Sequence, residues 1–137
     1  MSKLLIVDDD IRLRKLVRTY GEVEHYECDE AADGLAALEK LQNDNFDLVI
    51  LDVMMPGLDG IRTTLKVRET SSIPIIILSA KSEDADKILG LNIGADDYIT
   101  KPFNPLELVA RVKSQLRRYT QLGNMNNQMG NHVFQCG

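Results

Sequence analysis

Five polar residues of this 137-residue chain directly follow short apolar runs, and their types suit chemistry on a phosphoryl group. Asp8 and Asp9 follow the first run, Asp52 follows a central one, and Ser79 and Lys101 follow the last two. Neighbouring carboxylates repel one another and therefore favour a bound cation. Oxygen ligands without His or Cys favour Mg²⁺, with Mn²⁺ as a substitute. A lysine and a hydroxyl can hold phosphate oxygens, so the residue types predict a phosphoryl site beside Mg²⁺.

Asp52 is the candidate nucleophile of this site, because it ends the central apolar run and would face both the aspartate pair and Lys101. Carboxylates accept phosphoryl groups as acyl phosphates. Such a transfer depends mainly on positioning and charge neutralisation, which a metal ion and a lysine supply without a general base. We therefore expect a phosphoacceptor rather than a classical enzyme, one that promotes its own phosphotransfer and its own slow dephosphorylation.

Apolar runs and amphipathic stretches alternate along the chain and predict the elements that position these residues. Runs at 3–7, 48–51 and 75–78 are typical of strands buried on both faces of a parallel sheet, and weaker strands are predicted at 26–30 and 97–100. Helices are predicted at 11–20, 34–42, 60–69, 84–93 and 104–119, and the apolar faces of the first two include Leu16 and Leu35.

Five βα units of this kind predict an α/β fold with an open, doubly wound parallel sheet and helices on both faces. Ligands of such sheets bind beyond the carboxyl ends of the strands, at the point where the strand order reverses. The five polar residues should therefore meet at one edge of the sheet.

Composition excludes several other classes of protein. Sixteen Lys and Arg against 21 Asp and Glu give a net charge of −5, which argues against nucleic-acid binding through the overall field. Cys28 and Cys136 lie far apart without metal-ligand spacing, so neither a zinc site nor a disulfide is predicted. No apolar run is long enough to span a membrane and no signal peptide is evident, so we expect a cytoplasmic protein.

Four ordered motifs resemble the receiver domain of bacterial two-component response regulators. They are Ile6-Val7-Asp8-Asp9-Asp10, residues 47–60 with Pro56-Gly57-Leu58-Asp59-Gly60 at their end, Pro74 to Ala80, and Gly94 to Phe103. The resemblance covers residues 3 to about 119. It implies a flavodoxin-like (βα)5 fold with a five-stranded parallel sheet of order 2-1-3-4-5, a topology for which a member of this family is a standard illustration.

The resemblance also implies a role for each site residue. Asp52 would be the phosphoacceptor, supplied by a phosphohistidine of a sensor histidine kinase. Mg²⁺ would be held by Asp8, Asp9, Asp52 and the backbone carbonyl of Met54. Ser79 and Lys101 would contact the phosphoryl group, and the Lys101–Pro102 peptide bond would be cis. Ser79 and Tyr98 would form the switch, with Tyr98 turning inward as Ser79 moves toward the phosphate.

A narrower resemblance, to the OmpR/PhoB subfamily, implies a homodimer on phosphorylation through the fourth predicted helix, the fifth strand and the fifth predicted helix. Charge pairs are available for a two-fold interface: Lys87 with Glu107, Asp97 with Arg111, and Asp96 with Arg118. The predicted dimer face comprises these six residues around an apolar centre of Ile88, Leu91 and Ala110.

Residues 120–137 differ in character, with four Asn among them and no sustained periodicity, and are predicted to be a linker or tail. The receiver domain is expected to occupy residues 1–119. In a longer parent the tail would lead to a winged-helix DNA-binding domain, through which alone the protein would contact DNA and control transcription.

Simpler interpretations stay open beside these. Asp10 is predicted only to cap the first helix, Ser79 could cap the following loop, and Tyr98 could be ordinary packing. A haloacid dehalogenase-type phosphatase would need a second acid where this chain has Met54. A flavin-binding module would need a phosphate loop where three aspartates would repel the phosphate. The main alternative is a receiver that acts by protein contact without phosphorylation.

Overall fold

A five-stranded parallel sheet forms the centre of the fold in a computed structural model that describes residues 2–53, 59–80 and 94–131. The strands are β1 (Lys3–Val7), β2 (Glu27–Ala31), β3 (Leu48–Asp52), β4 (Ile75–Ala80) and β5 (Asp97–Lys101), in the order β2-β1-β3-β4-β5. The described helices are α1 (Ile11–Val23), α2 (Gly34–Asn43), α3 (Gly60–Arg68) and α4 (Pro105–Asn131). The predicted flavodoxin-like α/β fold is confirmed, while the helix predicted at 84–93 lies outside the described residues.

Unbroken apolar runs in the central strands supply both faces of the sheet with core residues. Side chains of successive strand residues point to opposite faces, so a run without polar residues must be covered on both sides. On one face Leu5 and Leu51 pack in a cluster with Ala37 of α2 and Val67 of α3. The cluster on the other face contains Ile6, Ile50 and Leu78 of the strands, with Val17 of α1 and Leu108 and Val112 of α4.

The register of the strands brings their carboxyl ends to one level. Val7 pairs with Leu51, Asp52 with Leu78, and Ala80 with Lys101. The polar residues that follow or end β1, β3, β4 and β5 therefore share one edge of the sheet, as predicted.

Helix α4 continues to Asn131, past the helix end predicted at Tyr119. Residues 120–131 contain no proline, and each residue added to an existing helix gains a backbone hydrogen bond without a new nucleation cost. The Asn- and Gly-containing composition thus lowers helix propensity without ending the helix. The division of the chain into a receiver domain and a tail at residue 119 stays a prediction.

Leu16 and Leu35 are exposed, contrary to their predicted place on buried helix faces. The helices instead approach the sheet through smaller residues, Gly21 in α1 and Ala37 in α2, together with Val17. Small residues allow a closer approach of helix to sheet, and Leu16 and Leu35 lie on the solvent-facing sides of these helices. Among the described residues, none of the helices combines the length and the apolar character needed to cross a membrane.

Candidate functional site

Three carboxylates meet beyond the carboxyl ends of β1 and β3. Asp8, Asp9 and Asp52 each offer an oxygen, and these oxygens lie within 4.8 Å of one another. Asp8 and Asp52 are buried, with 1% and 4% of their surface exposed, whereas Asp9 is exposed. Hard oxygen ligands beside a solvent-facing side suit Mg²⁺, which keeps several of its water molecules. These three residues fit the ion, and the predicted fourth ligand, the Met54 carbonyl, lies outside the described residues.

Lys101, at the end of β5, bridges the two buried carboxylates. Its Nζ lies 3.1 Å from Oδ2 of Asp52 and 3.2 Å from Oδ2 of Asp8. Burial acts to lower the pKa of Lys101, but the hydrogen bond and charge of Asp52, together with those of Asp8, outweigh it and raise the pKa. The lysine is therefore a fixed positive charge in the pocket. The Lys101–Pro102 peptide bond is cis, in agreement with the resemblance.

Burial raises the pKa of Asp8, and the nearby charge of Asp52 raises it further. The backbone N–H of Asp10, which donates to Oδ1 of Asp8 at 2.9 Å, and the ammonium of Lys101 oppose this shift only in part. Without a bound cation, the carboxylates of the pocket therefore repel one another. A bound cation would relieve that repulsion.

Ser79 and Tyr98 each bury a hydroxyl oxygen that makes no hydrogen bond with any described residue. Ser79 is fully buried in β4, and Tyr98 of β5 is 9% exposed and packs with the core cluster that contains Val53. An unsatisfied buried hydroxyl costs about 1–3 kcal/mol. The Ser79 hydroxyl is therefore available to an incoming oxygen acceptor near the end of its strand.

Asp10 caps helix α1, as predicted, because its side chain accepts a hydrogen bond from the backbone N–H of Arg12 at 2.9 Å. This cap fixes where the helix begins after the aspartate pair. Asp10 thus shapes the loop that carries Asp8 and Asp9.

Gly60 is a site-forming residue that is not among those predicted from the sequence. A Cβ at this position would lie 2.2 Å from the backbone oxygen of Asp52, so only glycine permits the contact. The Gly60 N–H also donates to the carbonyl of Val53 at 3.1 Å. Asp59 caps the helix through the N–H of Arg62. The Asp59-Gly60 dipeptide signals a helix start, but its contact with Asp52 follows only from the fold.

Four of the described residues of the predicted dimer face form ion pairs within the chain. Arg111 lies 2.5 Å from Asp97 and 3.4 Å from Glu107, while Asp96 pairs with Arg68 at 2.7 Å. Ala110 and Arg118 are exposed on α4. The remaining members, Lys87, Ile88 and Leu91, lie outside the described residues.

A family model described as the response regulator receiver domain matches residues 4–113. The transcriptional regulatory protein CpxR homolog of Haemophilus influenzae is 52% identical over 118 residues, which cover 86% of this chain and 52% of that protein. ResD of Bacillus subtilis is 49% identical over 91% of this chain and 52% of its own length. VanR of Enterococcus faecium is 46% identical over 99% of this chain and 59% of its own length. The chain thus spans about half the length of the curated relatives it matches.

Solved structures show the same fold. The receiver domain of the Francisella response regulator 1452 superposes with a TM-score of 0.83 and 38% identity, covering 87% of this chain and 99% of that one. The chemotaxis protein CheY4 of Vibrio cholerae gives a TM-score of 0.80 at 36% identity, covering 84% of this chain and 98% of that one. The curated relatives are transcriptional regulators of the OmpR/PhoB type. With most of its length matched, the chain belongs to the response regulator receiver domain family.

Proposed function

We propose that Asp52 accepts a phosphoryl group from a phosphohistidine of a sensor histidine kinase, in a reaction that depends on Mg²⁺. The observation that carries this proposal is the position of Lys101, hydrogen-bonded to Asp52 and Asp8 beside a cluster of three carboxylates. A nucleophile, a cation site and a fixed positive charge are the parts that phosphoryl transfer needs.

In the proposed transfer, an oxygen of Asp52 forms a bond to phosphorus while the bond between phosphorus and the histidine nitrogen breaks. The leaving nitrogen keeps the electron pair and is protonated. Mg²⁺, held by Asp8, Asp9 and Asp52, would neutralise charge on the phosphoryl oxygens. Lys101, which hydrogen-bonds to Asp52 at 3.1 Å, would donate instead to a phosphoryl oxygen. Loss of the phosphoryl group to water would make the modification slowly reversible.

The same site supports a switch. Once Asp52 carries a phosphoryl group, the unpartnered Ser79 hydroxyl would donate to one of its oxygens, and Tyr98, which is already only 9% exposed, would be held in its inward position. Such a change favours one of two preexisting arrangements of the surface beyond β4 and β5.

The output we propose is a homodimer formed through the predicted dimer face. In a longer parent, the dimer would present a C-terminal DNA-binding domain and control transcription, in the cytoplasm where response regulators typically work. The second candidate is a receiver that acts by protein contact without phosphorylation. Lys101 already forms ion pairs with Asp8 and Asp52, so its charge is balanced without a phosphoryl group.

Intact-mass spectrometry after incubation with acetyl phosphate tests the chemistry. We expect the wild type to gain one phosphoryl group only when Mg²⁺ is present, and Asp52→Asn to gain none. Asp44→Asn is the matched control, because Asp44 pairs with Lys3 at the start of β1, at the opposite end of that strand from Asp8. Phosphorylation of Asp52→Asn at the wild-type yield would refute the assignment. No gain by the wild type would favour the protein-contact function.

A further inference from the structure

Arg14 reaches from the second turn of α1 back to the loop that carries the acidic pair. Its NH1 donates to the backbone oxygen of Asp8 at 2.6 Å, and its Nε donates to Oε1 of Glu30 at 3.1 Å. The side chain is only 13% exposed, although it belongs to a surface helix. Arg14 therefore links α1, the end of β1 and the end of β2.

Glu30 holds the guanidinium in this position. Its side chain is 11% exposed and accepts further hydrogen bonds from Lys15 at 3.0 Å and Arg18 at 2.9 Å. Burial acts to raise the pKa of Glu30, but the hydrogen bonds from Arg18, Lys15 and Arg14 outweigh it and lower the pKa to about 2. Glu30 thus remains an anion and a stable anchor for Arg14 at neutral pH.

The main chain of Asp8 is fixed at both of its polar groups. Its N–H donates to the carbonyl of Ala31 at 3.2 Å, and its carbonyl accepts from Arg14. The side chain of Asp8 projects from this fixed backbone into the pocket, where it lies beside Lys101. A small rotation of the Asp8 peptide would move the carboxylate away from Asp9 and Asp52.

We infer that Arg14 is a positioning residue: by holding the Asp8 carbonyl, it places the Asp8 carboxylate for metal binding and so sets the affinity of the pocket for a divalent cation. This inference rests on the proposed function. Groups that orient metal ligands commonly change metal affinity by 10- to 100-fold when they are lost.

Electrostatics alone makes the opposite prediction, which gives the inference a sharp test. Removing a positive charge near three carboxylates should strengthen the binding of a cation. If Arg14 acted only through its charge, its loss would tighten metal binding. If it acts by positioning Asp8, its loss weakens metal binding in spite of the more favourable charge.

The test measures Mn²⁺ binding to the full chain by the loss of the free-ion signal in electron paramagnetic resonance, which needs no phosphorylation and no tryptophan. We expect Arg14→Gln to bind Mn²⁺ about tenfold more weakly than the wild type. Lys15→Gln is the matched control, because Lys15 also contacts Glu30 but makes no hydrogen bond to Asp8 among the described contacts. It should bind Mn²⁺ with unchanged or slightly higher affinity.

A second variant guards against a folding defect. Arg14→Lys keeps the charge but cannot bridge Glu30 and the Asp8 carbonyl as a planar fork does, so we expect an intermediate loss of affinity. Circular dichroism confirms that each variant is folded at the temperature used. Wild-type affinity in both Arg14 variants, or tighter binding by Arg14→Gln, would overturn the inference alone. Absence of Mn²⁺ binding by the wild type would overturn the proposed function together with it.

Discussion

The ammonium nitrogen of Lys101 lies 3.1 Å from a carboxylate oxygen of Asp52, the residue that we propose as the phosphoacceptor. The two residues end β5 and β3, and the register of the sheet brings them together across β4. The lysine therefore occupies the pocket as a counter-ion before any metal or phosphoryl group arrives. Its two roles, counter-ion and phosphate ligand, predict opposite effects of its removal.

Lys101→Gln should bind Mn²⁺ several-fold more tightly than the wild type, because the substitution removes the lysine ammonium that competes with the metal ion for the carboxylates. The same variant should gain a phosphoryl group from acetyl phosphate at least about tenfold more slowly, because a donor to the phosphoryl oxygens is lost. Metal titration and time-resolved intact-mass spectrometry measure the two effects. Lys113→Gln removes a lysine of α4 that pairs with Glu24, and this variant should change neither quantity. Faster phosphorylation of Lys101→Gln would contradict the proposed role.

Asp8→Asn should stabilise the metal-free protein while it weakens metal binding. The pKa of Asp8 is raised in the fold, so its charged form costs stability at pH values above that pKa, and a neutral side chain removes the cost. We expect a higher free energy of unfolding at pH 7 than that of the wild type, measured by urea denaturation with EDTA present. Adding Mg²⁺ should stabilise the wild type and leave Asp8→Asn nearly unchanged. A less stable Asp8→Asn would show that its hydrogen bonds outweigh the repulsion.

Glu30 makes a contribution to stability that depends on pH. Its pKa is lowered to about 2 in the fold from an ordinary value of 4.5, so the contribution is complete above pH 4.5 and is lost as the pH falls toward 2. Glu30→Gln should be less stable than the wild type by about 2 kcal/mol at pH 7, and the difference should shrink on acidification through that window.

Urea denaturation at several pH values measures the Glu30 effect. Glu39→Gln, at an exposed position on α2, provides the matched control. A difference between Glu30→Gln and the wild type that is the same at pH 7 and at pH 3 would contradict the linkage.

Gly60→Ala should disturb the phosphoacceptor through its backbone. The new Cβ would lie 2.2 Å from the Asp52 oxygen, a main-chain atom that cannot move without shifting the end of β3. We expect a loss of about 3 kcal/mol in unfolding free energy and slower phosphorylation. Gly21→Ala is the control: its Cβ would meet the Cys28 sulfur at 2.9 Å, and that side-chain atom is easier to displace. Equal stability of the two variants would show that the Asp52 backbone accommodates the methyl group.

The parts of the fold that could be predicted are those fixed by local pattern. The runs at β1, β3 and β4 must be buried on both faces, and this requirement defines a parallel sheet and places Asp8, Asp52 and Ser79 at one edge. The full length of α4 could not be predicted, because continuing a helix that has already formed requires no apolar periodicity in the sequence.

Long-range side-chain partners were equally beyond prediction from the sequence. Arg14 reaching the Asp8 carbonyl and Arg68 pairing with Asp96 both depend on the direction of a helix relative to the sheet. Long cationic side chains have several acids within reach in any plausible fold. The sequence suggests Arg118 as a partner for Asp96 across a dimer, and within the chain Asp96 is already paired with Arg68.

Arg111→Glu should weaken dimerisation of the phosphorylated protein while leaving phosphorylation intact. Within one chain Arg111 pairs with Asp97 at 2.5 Å, so a dimer that uses the same two side chains must exchange this pair for one between subunits. A two-fold interface contains every pair twice, and exposed pairs contribute about 0.2–1 kcal/mol each. Reversing the charge should therefore weaken the dimer about tenfold, measured by sedimentation velocity after treatment with acetyl phosphate. Arg117→Glu, an exposed neighbour on α4 outside the predicted dimer face, should sediment like the wild type. An unchanged dimer of Arg111→Glu would place the interface elsewhere on the molecule.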